Sequence, residues 1–210
     1  MRRVIVDPDA PQRDAIEEAA AWIVRGGLVA LPTDTLYGLA ADPFQPAAVA
    51  RLFAVKGRSA SQAIPLIAAD VAQVRSHLGH LSSAAARLAE RFWPGPLTVL
   101  LPAPPALARE VTAGTGAVGV RVPAHAIARR IAAAAGRPIT ATSANISGEP
   151  ATASPDDVER SLGGHIDLLI DAGLTAGGPP STIVDVSGSS PRLIREGAVS
   201  WEDVAACLRA

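Results

Sequence analysis

Apolar positions along the chain alternate between a strand-like run and a helical period, and that alternation predicts the fold class. Residues 3–6 form a short apolar run of strand type. Residues 11–24 then carry Ile16, Ala19, Ala20 and Ile23 on one helical face and stop at Gly26-Gly27. Residues 28–31 predict a buried strand, and residues 46–55 a helix with Val49, Leu52 and Phe53 on one side. Further strands are expected at 65–68, 97–101, 118–122, 139–142, 168–170 and 182–186. Helical periods fall between them at about 82–92, 126–135, 155–162 and 201–208. Strands and helices in alternation predict an α/β domain in which helices flank a largely buried, twisted mixed sheet. No internal repeat or linker interrupts the pattern, so residues 1–210 are expected to form a single domain.

Composition narrows the function classes. With 19 Lys+Arg against 20 Asp+Glu the formal net charge is −1, which excludes a general polyanion binder and makes any anion site local. The apolar run after Met1-Arg2-Arg3 is too short for a signal peptide, and no stretch approaches the roughly 20 apolar residues that span a bilayer. The only cysteine, Cys207, cannot form an internal disulfide, and no Cys/His spacing suits zinc. The expectation is a cytoplasmic chain without membrane contact or protein-held metal. Within the basic count, Lys56 is the only lysine, and Tyr37 and Asn145 are likewise the only residues of their kinds. In a chain that otherwise uses Arg, a surviving Lys points to a need for a compact ammonium.

Five segments carry candidate chemistry. Pro32-Thr33-Asp34-Thr35-Leu36-Tyr37-Gly38-Leu39 follows a buried strand, where open α/β sheets commonly bind ligands, although an ordinary Asx or Ser/Thr turn has the same residues. Lys56-Gly57-Arg58 ends a helix, a place that also favours cations through the macrodipole alone. Ile139 to Gly148 breaks a β-capable run into small hydroxyls, the lone Asn and a Gly, donors suited to phosphates or ribose, although a plain strand-to-loop turn has the same look. Ser181-Thr182-Ile183-Val184-Asp185 joins hydroxyls to a strand and is followed by Arg192 to Arg195. Arg121 interrupts the apolar run 118–122 and needs a partner, a ligand or an exposed face. No Walker A loop or G-x-G-x-x-G fingerprint is present, and His77, His80, His125 and His165 lie outside these segments.

Taken in order, these segments together with Pro94-Gly95-Pro96-Leu97-Thr98 and Val120-Arg121-Val122-Pro123 resemble the YrdC-like family of L-threonylcarbamoyladenylate synthases, over about residues 12–200. The resemblance implies a YrdC-like fold in the short, single-domain form. It implies condensation of L-threonine, bicarbonate and ATP, with Mg²⁺ on the ATP phosphates, to threonylcarbamoyl-AMP and pyrophosphate. A tRNA threonylcarbamoyltransferase complex would then use the product to form t6A. Carried over by position, Lys56 and Arg58 are the implied catalytic cations, and Lys56, Arg58, Gln62, Ala117, Ser143, Asn145, Ala151 and Arg195 the implied ATP-binding set. Thr35, Arg121, Ala141 and Ser181 resemble the L-threonine site, with Asp34 and Asp185 in orienting or structural roles. Ser59, Gln62 and Ala63 depart from the usual residues after K-x-R. Ala117 and Ala151 replace frequent hydroxyls, so contacts there fall to the backbone, and Ile67 stands where some relatives carry His. Removal of Lys56 is expected to spare the fold. The competing readings are an inactive YrdC-like module that binds tRNA or other RNA directly, and a carbamoyl-transfer domain like that of hydrogenase maturation proteins.

Overall fold

A computed structural model describes residues 1–57, 59, 62–188 and 190–209. Along the chain run β1 (Arg2–Ile5), α1 (Arg13–Val24), β2 (Val29–Leu31), β3 (Gly38–Ala40), α2 (Pro46–Lys56) and β4 (Leu66–Ile67). Next come α3 (Val71–Leu78), α4 (Ser83–Phe92), β5 (Leu97–Pro102), a 3₁₀ turn at Arg109–Thr112, β6 (Ala117–Arg121) and α5 (Ala126–Ala134). The remainder is β7 (Ile139–Thr140), β8 (Thr142–Ser143), α6 (Pro155–Leu162), β9 (Leu168–Asp171), β10 (Thr182–Asp185), β11 (Arg192–Arg195) and α7 (Trp201–Arg209).

The expected α/β architecture is present, and its strands divide into two mixed sheets. One has the order β1-β9-β2-β3-β8 and the other β11-β10-β5-β6-β4-β7. The expected strand 139–142 accounts for the division. At Ala141 the chain changes partner, so β7 pairs with β4 in one sheet and β8 with β3 in the other. Thr140 N donates to Ala41 O at 3.0 Å, Ala41 N to the Thr140 hydroxyl at 2.8 Å and Ala141 N to Pro65 O at 2.9 Å, so the N–H groups of these three residues are all satisfied at the corner.

Helix ends follow local chemistry. Ser82 and Ser154 cap α4 and α6 through Ala85 N and Asp157 N, and Pro46 and Pro155 occupy first turns that need no N–H. The larger apolar cluster gathers Leu28, Leu39, Leu52, Leu66, Leu88, Val99 and Val120. A second cluster packs Ile16, Ala19 and Ile23 of α1 and Ile127 and Ile131 of α5 on Val29, Leu31, Leu168 and Ile170.

The segments around β10 are locked by close approach. A Cβ at Gly197 would lie 2.1 Å from Pro180 O, and Ala198 N donates to that same oxygen at 2.9 Å. Gly197→Ala should therefore destabilise by about 3 kcal/mol, a Tm fall of roughly 10 °C. Gly164→Ala, where a Cβ meets nothing within 4 Å, should change stability little, and thermal unfolding of both variants checks the contrast.

Candidate active site

A cavity of about 400 Å³ lies between the two sheets. Its floor is one cross-strand row. Ile183 pairs with Thr98 on one side and Arg195 on the other, Ile67 pairs with Arg121, and the Val99–Val120 pairing sets Thr98 beside Arg121. Alternation along strands turns Arg195, Ile183, Thr98, Arg121 and Ile67 to the same side, and all five line the cavity. The rest of the lining includes Thr33, Thr35 to Gly38, Ala141 to Ser143, Ala151 and, next to Thr98, Ser181.

Arg121 is only 7% exposed, and its guanidinium donates to Asp34 Oδ1 at 2.9 Å and to the Thr33 hydroxyl at 3.4 Å. Asp34 Oδ2 accepts from Ala124 N at 3.2 Å, so the carboxylate is held from both ends and ties the β2–β3 loop to the end of β6. Burial pushes the Arg121 pKa below its ordinary value against the opposing pull of Asp34. Arg195 donates to Ser181 O at 2.7 Å and to the Ser181 hydroxyl at 3.2 Å. Its pKa is lowered first by burial and then by the like charge of Arg121, so two guanidinium groups act on one cavity. Among the described residues no carboxylate pairs with Arg195, and an entering anion relieves the repulsion between the two cations.

Thr35 is fixed through its carbonyl, which accepts from Gly177 N at 2.8 Å and the Thr175 hydroxyl at 2.9 Å. Tyr37 donates its phenol to Gly173 O at 2.7 Å, and burial raises its pKa to about 12, so it remains a neutral donor at neutral pH. The Tyr37 backbone binds Thr152 O at 3.0 Å and Ala144 N at 2.9 Å, which places the two loops of the far wall.

All four residues expected at the amino-acid end, Thr35, Arg121, Ala141 and Ser181, line the cavity, as do Ser143, Ala151 and Arg195 from the nucleotide set. Lys56 and Asn145 lie behind this wall. The Lys56 ammonium, 1% exposed, donates to Ser143 O at 2.5 Å, Asn145 O at 2.7 Å and Asn145 Oδ1 at 3.2 Å. Asn145 Nδ2 closes the turn on Glu149 O at 2.6 Å. The expectation that Lys56 can be removed without touching the fold is thereby corrected, because its loss takes away the donor shared by three acceptors of the Ser143 to Asn145 turn. Gln62 is exposed and is not itself a lining residue, although its neighbour Ala63 is, and Arg58 lies outside the described residues. Ala117 shares the face of Arg121 on β6, about 13 Å away at strand rise.

Asp185 serves the β10–β11 hairpin and not Arg195. Its carboxyl is held at about 2 by the Ser187 hydroxyl first and then by Arg192. Sequence reasoning gave no role to Thr98, Ile183 or Thr33, whose place in the site depends on register between distant strands. Among the described residues no cluster of three or more His, Cys, Asp or Glu could hold a metal ion, and no helix is long and apolar enough to cross a membrane.

A family model for Sua5, YciO and YrdC proteins, described as telomere recombination, matches residues 21–197. The chain belongs to the Sua5/YciO/YrdC family. A threonylcarbamoyl-AMP synthase of Pyrococcus abyssi is 41% identical over 91% of the chain and 58% of its own length. A threonylcarbamoyl-AMP synthase of Halorhodospira halophila is 39% identical over 81% of the chain and 89% of its own. The crystal structure of Pyrococcus abyssi Sua5 complexed with L-threonine superposes with a TM-score of 0.94 at 38% identity, covering 99% of the chain and 61% of that protein. The chain thus spans less than two thirds of that Sua5 family member.

Asp34→Ala leaves the Arg121 charge buried without its carboxylate and should cost about 3–5 kcal/mol in urea unfolding, against a smaller loss for Asp34→Asn. Because the Asp185 pKa is depressed, its contribution to stability is full above about 4 and is lost as pH falls through about 2. Asp185→Asn should flatten that acid limb, measured as Tm against pH between about 2 and 5.

Proposed function

We propose that the chain condenses L-threonine, bicarbonate and ATP to threonylcarbamoyl-AMP and pyrophosphate, the first step in forming t6A on tRNA. The observation that carries this reading is the single row that sets Arg121, Thr98 and Arg195 beside the Thr35 and Ser143 walls, in a chain similar to threonylcarbamoyl-AMP synthases. The enzyme class would be nucleotidyltransferase, since AMP is transferred to a carboxylate.

The threonine amine and bicarbonate combine with loss of water to give N-carboxythreonine. Its new carboxylate attacks the α-phosphate of ATP, a P–O bond forms, and the bond to the leaving pyrophosphate breaks. Negative charge is present at every stage, so positioned cations and hydrogen bonds matter more than a strong base. Arg121 is suited to the amino-acid carboxylate, held by Asp34 so that its remaining donors face the cavity. Arg195 and the Ser143 hydroxyl are suited to the phosphates, and Arg58 belongs to this proposal by sequence. Ala117, Ala141 and Ala151 would contribute backbone groups, and Gln62, like Arg58, belongs to this proposal by sequence. Lys56 supports the nucleotide wall from behind by fixing the Ser143 to Asn145 turn. Mg²⁺ would arrive on the ATP phosphates; among the described residues no carboxylate side chain is part of the cavity lining. The product would pass to a tRNA threonylcarbamoyltransferase complex.

Pyrophosphate release that requires both L-threonine and bicarbonate is the expected result with the purified chain. No release under any condition, together with salt-dependent RNA binding, would instead support an inactive RNA-binding module. Lys56→Met should lower turnover at least about 100-fold and reduce Tm, because the turn that carries Ser143 loses its buried cation. Lys56→Arg should fail similarly, since a planar guanidinium does not fit a fully enclosed ammonium site. Unchanged turnover and Tm in both variants would contradict the role assigned to this lysine.

A further inference from the structure

The Pro94-Gly95-Pro96-Leu97-Thr98 segment ends on the cavity floor, where Thr98 is 1% exposed and has two constrained substituents. Its hydroxyl lies 2.9 Å from the Ser181 hydroxyl. Its methyl fills the notch over Gly119, where an added Cβ would come within 2.9 Å of Thr98 Cγ2. One substituent in the notch and the other on Ser181 leave a single side-chain rotamer for this β-branched residue. The surroundings are equally fixed. The Trp93 indole donates to Leu97 O at 2.6 Å just before Thr98, and Thr182 N donates to Pro96 O at 3.0 Å just after Ser181.

The hydrogen count across this pair has a chemical consequence. Arg195 can only donate, and it donates to Ser181 Oγ at 3.2 Å. Thr98 and Ser181 have two hydroxyl hydrogens between them, and their mutual bond uses one, whichever side chain donates it. Among the described residues the other hydrogen has no protein acceptor, and both side chains line the cavity. The pair therefore presents one hydroxyl donor to a ligand, beside Arg121 in the same row.

We propose that Thr98 is a positioning residue for the amino-acid substrate: it fixes Ser181 so that one hydroxyl hydrogen is aimed at the carboxylate bound by Arg121. This inference rests on the threonine-dependent reaction proposed above. It assigns Thr98 no contact with the nucleotide, so its effect is confined to the amino-acid end.

Steady-state pyrophosphate release with the whole chain separates the possibilities. Thr98→Val keeps the shape and the methyl in the Gly119 notch but removes the hydroxyl. The KM for L-threonine should rise about tenfold, the value of one net hydrogen bond, with kcat and the KM for ATP within about twofold of wild type. Thr98→Ser keeps the hydroxyl and loses the methyl lock, and the KM for L-threonine should rise only about threefold. A wild-type KM for L-threonine in Thr98→Val, or an equal rise in the KM for ATP, overturns the proposal. If Thr98→Val does not fold, Thr98→Ser decides it, and a wild-type KM for L-threonine there overturns it. Wild-type release that ignores L-threonine would overturn the threonine-dependent reading and this inference with it. Wild-type dependence on L-threonine with an indifferent Thr98→Val overturns the role of Thr98 alone.

Discussion

A guanidinium removed from water in the middle of a sheet is tolerated only where its charge is answered, and the site is arranged around that requirement at Arg121. The residue sits at the end of β6 on a floor shared with Ile67, Thr98, Ile183 and Arg195, with Asp34 brought to it by the β2–β3 loop. That ion pair is also a mechanical link, since Arg121 belongs to one sheet and the Asp34 loop leaves the other. Burial makes the pair costly to break and leaves Arg121 a strong attractor for an anion entering beside it. Arg195 adds a second positive charge with no carboxylate partner among the described residues, so the row is balanced only when a ligand supplies negative charge.

A second buried cation does structural work behind the opposite wall. Lys56 ends α2 with its ammonium inside the turn that leaves β8, bonded to two carbonyls and the Asn145 amide oxygen. The ring of acceptors suits a small, three-donor ammonium, which gives a physical reason for the one lysine in a chain that otherwise uses arginine. Asn145 is singular for the complementary reason: its oxygen accepts from Lys56 while its nitrogen donates to Glu149 O, a pair of roles that an amide performs and a carboxylate does not. Tyr37, the third singular residue, uses its phenol to reach Gly173 O across the fold. The unusual composition thus marks the supports of the cavity wall more than its lining.

The α/β alternation and most element positions were legible because apolar periodicity is a local signal. Three elements were not. β3 is three buried residues with a leading Gly and too short to show alternation. α3 buries only Val74 and Leu78 among its eight residues, so its apolar stripe is too sparse to read. β11 is exposed along its length and exists through pairing with β10. The strand expected at 139–142 was legible as extended chain, but its switch between sheets at Ala141 depends on where Pro65 and Ala41 lie in space. At the site, the order of motifs identified Thr35, Arg121, Ser143, Ser181 and Arg195, each of which lines the cavity. The burial of Lys56 and the register that sets Thr98 between Ser181 and Arg121 are tertiary facts without a local sequence signal.

The central claim is that the row from Arg195 to Ile67 is the floor on which an amino acid and a nucleotide meet. A crystal structure of the chain with L-threonine and a non-hydrolysable ATP analogue tests it most directly. The account predicts the threonine carboxylate within hydrogen-bond distance of Arg121 and of the Thr98–Ser181 hydroxyl pair, with the nucleotide phosphates toward Arg195 and Ser143. A threonine carboxylate turned away from Arg121, or both ligands bound outside this cavity, would contradict it.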